Sequence, residues 1–562
     1  MTEPASDPCD PRDPTMPDGA GLAGDAATRS VRRDAEEQHV DGGATGTSAV
    51  DGGASGVSAT DHERTGVSAT DAETGRKRTP DAHRNELGDD GQPDEPARPA
   101  DADQRTPPPP PLDHRPAAGS REERRSLDRS ILALAVPALG ALIAEPLFVL
   151  TDTALVGHLG PDVLAGLGIA STVLQTVIGL MVFLAYTTTP IVARLLGSGD
   201  RRGAIHAGIE GMWLGLGAGV LIAVAGVPLT PLVVSWFTTD PAVAAAAVTY
   251  LAVSLAGIPA MLLVIAATGL FRGLQDTRTP LVVAIGGFTA NALLNALLIY
   301  GLGLGIGGSA LGTVLAQWGM AVVLAWIAVR AARRERVSLR PGVRGRGATL
   351  RASGWMILRT VTLRAAIVSV VWTCAQLGAS ETAALQVQFA IYNLVVFALD
   401  ALAIAGQALV GHGLGAGDTA RVRRVLRRLV LWGLGFSALL GVALLAGSPV
   451  IGRVFTNDPA VLALVPGGIV ALALTMPVAA YTFVLDGVLI GAGDARYLAL
   501  VGVANLVVLL ALLAVIRLVE PSGWVAMLVL WLALAGGFNG SRAVTLWLRQ
   551  RGTAWMVTGA TR

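Results

Sequence analysis

The chain reads as an all-α integral membrane protein. It predicts twelve transmembrane helices in two six-helix lobes, related by a pseudo-twofold axis along the membrane normal. Three observations carry that reading. The first is a repeat at one constant offset. Gly197-Ser198-Gly199-Asp200 returns as Gly415-Ala416-Gly417-Asp418, and 415 − 197 = 218. Phe237-Thr238-Thr239-Asp240-Pro241 returns as Phe455-Thr456-Asn457-Asp458-Pro459, again at 218. Gly273 with Asp276 matches Gly491 with Asp494, Pro259 matches Pro477, and Leu159-Gly160 matches Leu377-Gly378. The second observation is a series of long uncharged runs. The third is the placement of arginine between them.

A helix needs about 20 apolar residues to cross the hydrocarbon layer. The first half offers 131–156, 163–193, 211–239 and 242–271, and then 281–329, which is long enough for two spans with a glycine-rich turn at 301–308. The second half offers 355–378, 382–412, 424–452, 460–490, 497–518 and 522–546. These runs are continuous rather than alternating, which excludes a β-barrel. No Lys or Arg lies between Arg129 and Arg194, between Arg202 and Arg272, or between Arg278 and Arg330. With twelve spans the arginine clusters fall on one side, so both termini and the middle linker are expected in the cytoplasm of a plasma-membrane protein. Six spans per half give both halves the same orientation, with a cavity expected between them.

Residues 1–125 form an expected disordered cytoplasmic tail. They are rich in Asp, Gly, Ala, Thr and Pro, and include an imperfect ten-residue repeat from Asp41 and a polyproline run at Pro107–Pro111. Such a stretch buries too little apolar surface to offset the entropy of ordering. It has no apolar segment of signal-peptide length. The lobes are expected at 126–331 and 355–548, with a basic linker at 332–354 and a second cytoplasmic tail at 549–562. Hydrophobic residues are 52% of the chain and charged residues 15%. The net charge of +1 averages an acidic tail against basic loops and points to no nucleic-acid partner. Cys9 and Cys374 are the only cysteines, too far apart in character for a structural disulfide.

Charged groups inside a bilayer are costly and mark function. Glu145 and Asp152 lie seven apart in the first span, which puts them on one helix face. No basic residue in that span pairs with them. Such a carboxylate can take a proton, or collect a sodium ion with neighbouring oxygens. Asn291 and Asn295 lie one turn apart in the fifth span, within reach of Thr313 in the sixth. In the second half Asp486 and Asp400 sit in apolar runs. Arg359 and Arg364 fall in the first half of the seventh span, where snorkelling to the cytoplasmic surface is the expected arrangement. Gln175, Gln388, Tyr392 and Asn393 read as interhelical hydrogen-bonding groups.

These residues resemble the multidrug and toxic compound extrusion family. The stretch Val149-Leu-Thr-Asp-Thr-Ala-Leu-Val-Gly-His-Leu-Gly160 is similar to its first-helix pattern. Arg194-Leu-Leu-Gly-Ser-Gly-Asp200, Gly269-Leu-Phe-Arg-Gly-Leu-Gln-Asp-Thr277 and Gly308-Ser-Ala-Leu-Gly-Thr313 fit as well, over residues 126–548. Val484-Leu-Asp-Gly-Val-Leu-Ile-Gly-Ala-Gly-Asp494 has the flavour of the branch named for a DNA-damage-inducible protein. The resemblance implies a secondary antiporter, not an enzyme, that exports organic cations and other amphipathic compounds in exchange for protons or sodium. It needs no cofactor beyond the coupling ion, and its partners are small organic substrates and membrane lipids. A monomer is expected. The resemblance makes Asp152 the ion-coupling acid, Asn291 and Thr313 its neighbours, Pro137 the bending point of the helix, and Asp486 the acid of the second lobe. Where many members carry an Asp one turn after the Asn, this chain has Asn295, which favours protons over sodium unless Glu145 replaces the charge. The rival reading is a lipid-linked or polysaccharide flippase of the same superfamily.

Overall fold

The computed structural model describes residues 121–340 and 346–560. The expectations for residues 1–120 fall outside the described residues, and so does the side chain of Glu145. All regular structure among the described residues is helical. Twelve spans follow in order: α1 Arg121–Gly157, α2 Pro161–Gly197, α3 Arg201–Ser235, α4 Pro241–Gly273, α5 Arg278–Gly301, α6 Gly305–Arg334, α7 Arg346–Ala375, α8 Ala379–Gly415, α9 Thr419–Val454, α10 Pro459–Gly491, α11 Ala495–Val519 and α12 Gly523–Arg551. Eleven are unbroken candidates by length and apolarity; α4 makes the twelfth as two helices, Pro241–Leu255 and Ile258–Gly273, bent by 50°.

The repeat fixes where helices stop as well as where they run. Adding 218 to the bounds of α2 (161 and 197) gives those of α8 (379 and 415), and the bounds of α4 give those of α10 in the same way. The turns are built alike. Gly199 and Gly417 take positive φ, +85° and +74°, a conformation that suits glycine after a helix C-terminus. The next residue is an aspartate that caps the following helix. Asp200 accepts the amide of Gly203 at 2.7 Å, and Asp418 that of Arg421 at 2.8 Å. Asp240 and Asp458 each accept an amide at 2.8 Å, ahead of Pro241 and Pro459 at the first helical position.

Within the first half α1 packs on α5, α2 and α3 on α4, and α5 on α6. In the second half α7 packs on α11, and α8 and α9 on α10. The pairing is therefore the same in the two six-helix bundles. Between them, α8 lies against α1 and α2, and α7 lies against α2.

Burial across that seam is concentrated at the arginine-rich end. Leu127, Ile131, Leu134 and Ala135 of α1 share a buried cluster with Leu402, Ala405, Ala408 and Leu409 of α8. Ala138 packs with Ala401 and Ile404. Ion pairs add to it: Arg428 donates to Asp128 at 2.5 and 2.6 Å, and Arg424 lies 2.7 Å from the Glu123 carboxylate. Gln175 of α2 and Asn393 of α8 are exposed at mid-span. They are equivalent positions (175 + 218 = 393), so each bundle exposes one polar side chain at the same place in its fold.

The segment after α12 is seated on the closed end. Arg194 of α2 donates to the carbonyls of Val557 at 2.8 Å, Gly559 at 3.2 Å and Ala492 at 3.0 Å. The Gly559 amide reaches the Leu414 carbonyl at 3.0 Å, and Trp555 is 1% exposed. This segment therefore ties the two bundles together.

Candidate ion-coupling site and inter-lobe cleft

Asp152 is 5% exposed although it lies five residues from the end of α1. Three donors from three other spans converge on its carboxylate. Asn295 Nδ2 (α5) and Ser309 Oγ (α6) reach Oδ1 at 2.7 and 2.6 Å, and Tyr250 OH (α4) reaches Oδ2 at 3.1 Å. Asn295 Nδ2 also donates to Asn291 Oδ1 at 3.2 Å, and Asn291 Nδ2 to Thr313 Oγ1 at 3.0 Å. The sequence-predicted group of Asp152, Asn291, Asn295 and Thr313 is thus one connected network. No ion pair forms on Asp152 among the described residues, so the acid is held by neutral dipoles alone.

That arrangement suits reversible ion capture. A carboxylate in a low-dielectric site is costly unless hydrogen-bonded or neutralised. The hydroxyls of Ser309 and Tyr250 can rotate to accept instead of donate, so the shell can also host the protonated acid. The same oxygens, with the buried Asn295 Oδ1, are hard ligands for a small cation. Asn295 touches Asp152 directly, so a carboxylate at that position would have put two like charges in hydrogen-bond contact.

The equivalent site in the second bundle is apolar. Adding 218 turns Asp152, Asn291, Asn295, Ser309 and Thr313 into Val370, Leu509, Leu513, Met527 and Trp531, all buried. Gln388 nearby acts as structural glue, donating to the Leu464 and Val465 carbonyls and accepting from Trp531 Nε1 at 2.5 Å.

The second bundle's polar centre lies elsewhere. Asp486 of α10 is ion-paired with Arg359 of α7 and lies 3.5 Å from Arg542 of α12. Arg359 does not snorkel to the surface as expected; it is 7% exposed, because a buried acid on α10 matches its charge. Its guanidinium also lies 5.5 Å from the Tyr186 ring of α2. Asp400, half-buried on α8, has Arg359, Arg272, Arg542 and Asp486 as charged neighbours. Pro137 lies within a continuous α1, as does Pro146.

Sequence reasoning missed Tyr250, Ser309 and Arg542. Ser309 and Thr313 are four apart on α6, the same one-turn spacing that singled out Asn291 and Asn295, and that signal was available. Nothing marked Tyr250, whose hydroxyl matters only because tertiary packing puts it 3.1 Å from Asp152 of α1.

Two bundles of equal topology, packed together at the arginine-rich end, with a buried acid inside the first, fit a secondary transporter. The sequence pattern of the MatE family matches residues 137–297 and again 358–516, so the chain belongs to that family. It is 32% identical over 406 residues to Protein DETOXIFICATION 44, chloroplastic, of Arabidopsis thaliana, covering 68% of this chain and 74% of that protein. It is 28% identical to DNA damage-inducible protein F of Escherichia coli, covering 76% and 94%. Among solved structures it resembles a MATE protein in the straight conformation (TM-score 0.69, 20% identity, 77% and 97% covered). It is similar also to a MOP superfamily transporter from Pyrococcus furiosus described by the reverse polarity of its binding pocket (TM-score 0.68, 20% identity, 76% and 96% covered).

Proposed function

We propose that this chain is an antiporter that exports amphipathic organic compounds by alternating access, driven by a proton or sodium ion captured at Asp152. The observation that carries the reading is a buried carboxylate matched only by neutral donors, on the helix that also forms the closed gate. α1 holds Asp152 near one end and Ile131, Leu134 and Ala138, which press on α8, near the other. Pro146 interrupts its backbone hydrogen bonding between the two, and Pro137 does so within the gate stretch, so α1 can bend there.

When an ion neutralises Asp152, Asn295, Ser309 and Tyr250 no longer need to face a negative charge. α1 then repacks against α5 and α6, and its gate residues move on α8. Substrate in the cleft and ion at Asp152 oppose each other through this one helix, as linkage requires. The positive-inside rule places the arginine-rich end in the cytoplasm, which makes this the outward-facing state of a plasma-membrane protein. Acid, gate and cleft all belong to one chain, so a monomer suffices.

The test is efflux of a fluorescent amphipathic dye from proteoliposomes, driven in separate runs by a pH jump and by a sodium jump. Wild type is expected to respond to one gradient, the proton being favoured by the two reversible hydroxyls. Asp152→Asn is expected to remove the response. Undiminished gradient-driven efflux in that variant would overturn the proposal.

A further inference from the structure

The seam between α2 and α7 carries more positive charge than the protein answers. Gln175, Gly179 and Tyr186 lie at i, i + 4 and i + 11 on α2, which puts them on one helix face. Arg359 lies beside Tyr186, and the Arg364 guanidinium lies against Gly179, where a Cβ would come within 2.2 Å of Nη2. The two arginines therefore run along one stripe of α2, with Gln175 next in line towards the arginine-poor end. On α8, Asn393 and Asp400 lie seven apart, again on one face.

The charges of this region do not cancel. Arg359 and Arg542 share the single carboxylate of Asp486. Arg272 and Tyr186 are neighbours of Asp400. Arg364 is exposed and makes no hydrogen bond or ion pair with any described residue. Four guanidiniums thus stand against two carboxylates, an excess of two positive charges, and the one of the four without a carboxylate neighbour among the described residues, Arg364, lies halfway along a transmembrane helix, at the mouth of the seam.

We propose that the transported compound carries an anionic head on an apolar body, and that Arg364 receives that head. This deepens the antiporter reading and rests on it. Arg364 supplies a planar fork of donors matched to a carboxylate, sulfonate or phosphate. Gln175 and Asn393 offer amide donors on the two walls of the cleft. Tyr392, part-exposed on α8 and backed by the buried rings of Phe389 and Trp531 at 5.3–6.1 Å, offers an aromatic contact one residue from Asn393. Asp152 stays apart from this site, so ion and anion are taken at different places in the two bundles.

The experiment uses a matched pair of dyes with one xanthene core: fluorescein, an anion, and rhodamine 123, a cation. Binding to the full chain in detergent is read by fluorescence anisotropy, and transport by counterflow in proteoliposomes, which needs no ion gradient. The wild type is expected to bind fluorescein at least about tenfold more tightly than rhodamine 123. Arg364→Gln should lower fluorescein affinity about tenfold and leave rhodamine 123 unchanged, and Arg364→Lys should restore part of it. Arg364 pairs with none of the described residues, so these variants are expected to keep the wild-type elution profile and melting temperature. Equal binding of both dyes, or fluorescein binding unchanged in Arg364→Gln, overturns the proposal.

The anionic head can belong to a free compound or to a lipid. Vesicles of phosphatidylcholine alone, compared with vesicles holding phosphatidylglycerol, separate the two. We expect phosphatidylglycerol to compete weakly; strong competition that disappears in Arg364→Gln keeps the anion site and makes its source the lipid. Asp152 acts on both dyes alike through the linkage, so Asp152→Asn is expected to change their affinities together and to retain their ratio. A failure of gradient coupling is therefore distinguishable from a failure of anion recognition.

Discussion

Gly197 rests on the backbone carbonyl of His412, and Gly415 rests on that of Arg194. The two contacts are one contact seen twice, since 197 + 218 = 415 and 194 + 218 = 412. α2 and α8 cross at the pseudo-twofold axis, backbone on backbone, and that crossing is the centre of the closed gate. A Cβ at either glycine would come within 2.0 Å of the facing carbonyl oxygen, which cannot move aside as a side chain can. Gly197→Val and Gly415→Val should therefore each cost about 1–3 kcal/mol of the closed state. Their melting temperatures in detergent should fall by several degrees, and both should lose transport. Gly168→Ala, where a Cβ meets nothing within 4 Å, is the control that should change neither.

The second bundle shows what the first would be without its ion site. Leu513 and Met527 occupy the positions of Asn295 and Ser309, and both are buried in good packing. Asn295→Leu and Ser309→Met thus place, on equivalent helices, side chains that this architecture already accommodates. Each leaves the Asp152 carboxylate short of one donor. We expect gradient-driven efflux to fall about a hundredfold in either variant, with folded yield above that of Asp152→Leu. Coupled efflux at the wild-type rate in the double variant would show that Asp152 works without its shell.

The C-terminal segment closes over the gate from outside the helices. Trp555 is buried among residues of both bundles, and Arg194 holds the chain beyond it by two carbonyls. Truncation of that large an aromatic typically costs about 3–5 kcal/mol. Trp555→Ala, or a chain ending at Arg551, should melt earlier. Either should also speed the exchange between inward-open and outward-open forms, measured as the rate of counterflow. An unchanged melting curve in both would mean that the segment only rests on the surface.

The twelve spans and the two-bundle order were legible because apolarity and arginine placement are strong one-dimensional signals, whereas the bounds were not legible from them: α1 and α3 begin ten residues before the uncharged runs at 131 and 211, because their first turns carry charge. The repeat added the helix ends, since the Gly-x-Gly-Asp turns cap the same way in both halves. The network of Asp152, Asn291, Asn295 and Thr313 was legible in part, through one-turn spacing and resemblance. Its remaining members were not, because Tyr250 and Ser309 reach Asp152 from helices whose rotation no single-helix pattern fixes. Arg359 shows the same limit from the other side. Its position in α7 is compatible with snorkelling or with burial, and what decides is Asp486, 127 residues further along the chain. A partner at that distance leaves no trace in local periodicity.

The same pair carries a last prediction. Asp486 is a buried acid, as Asp152 is, yet it lies between Arg359 and Arg542 and its negative charge is already answered. A group so placed holds the bundle together rather than cycling an ion. Removing it strands two guanidiniums beneath the cleft, and breaking a buried pair of this kind costs about 3–5 kcal/mol. Asp486→Asn is therefore expected to melt well below the wild type and to lose activity through folding. Replacing Asp486 together with Arg359 leaves one stranded guanidinium, Arg542, instead of two, so Arg359→Met with Asp486→Leu should recover part of the lost melting temperature. If the pair is structural, the double variant also keeps gradient-driven efflux and its pH profile. A double variant that is stable but no longer responds to the gradient would make Asp486 a second coupling acid, working alongside Asp152.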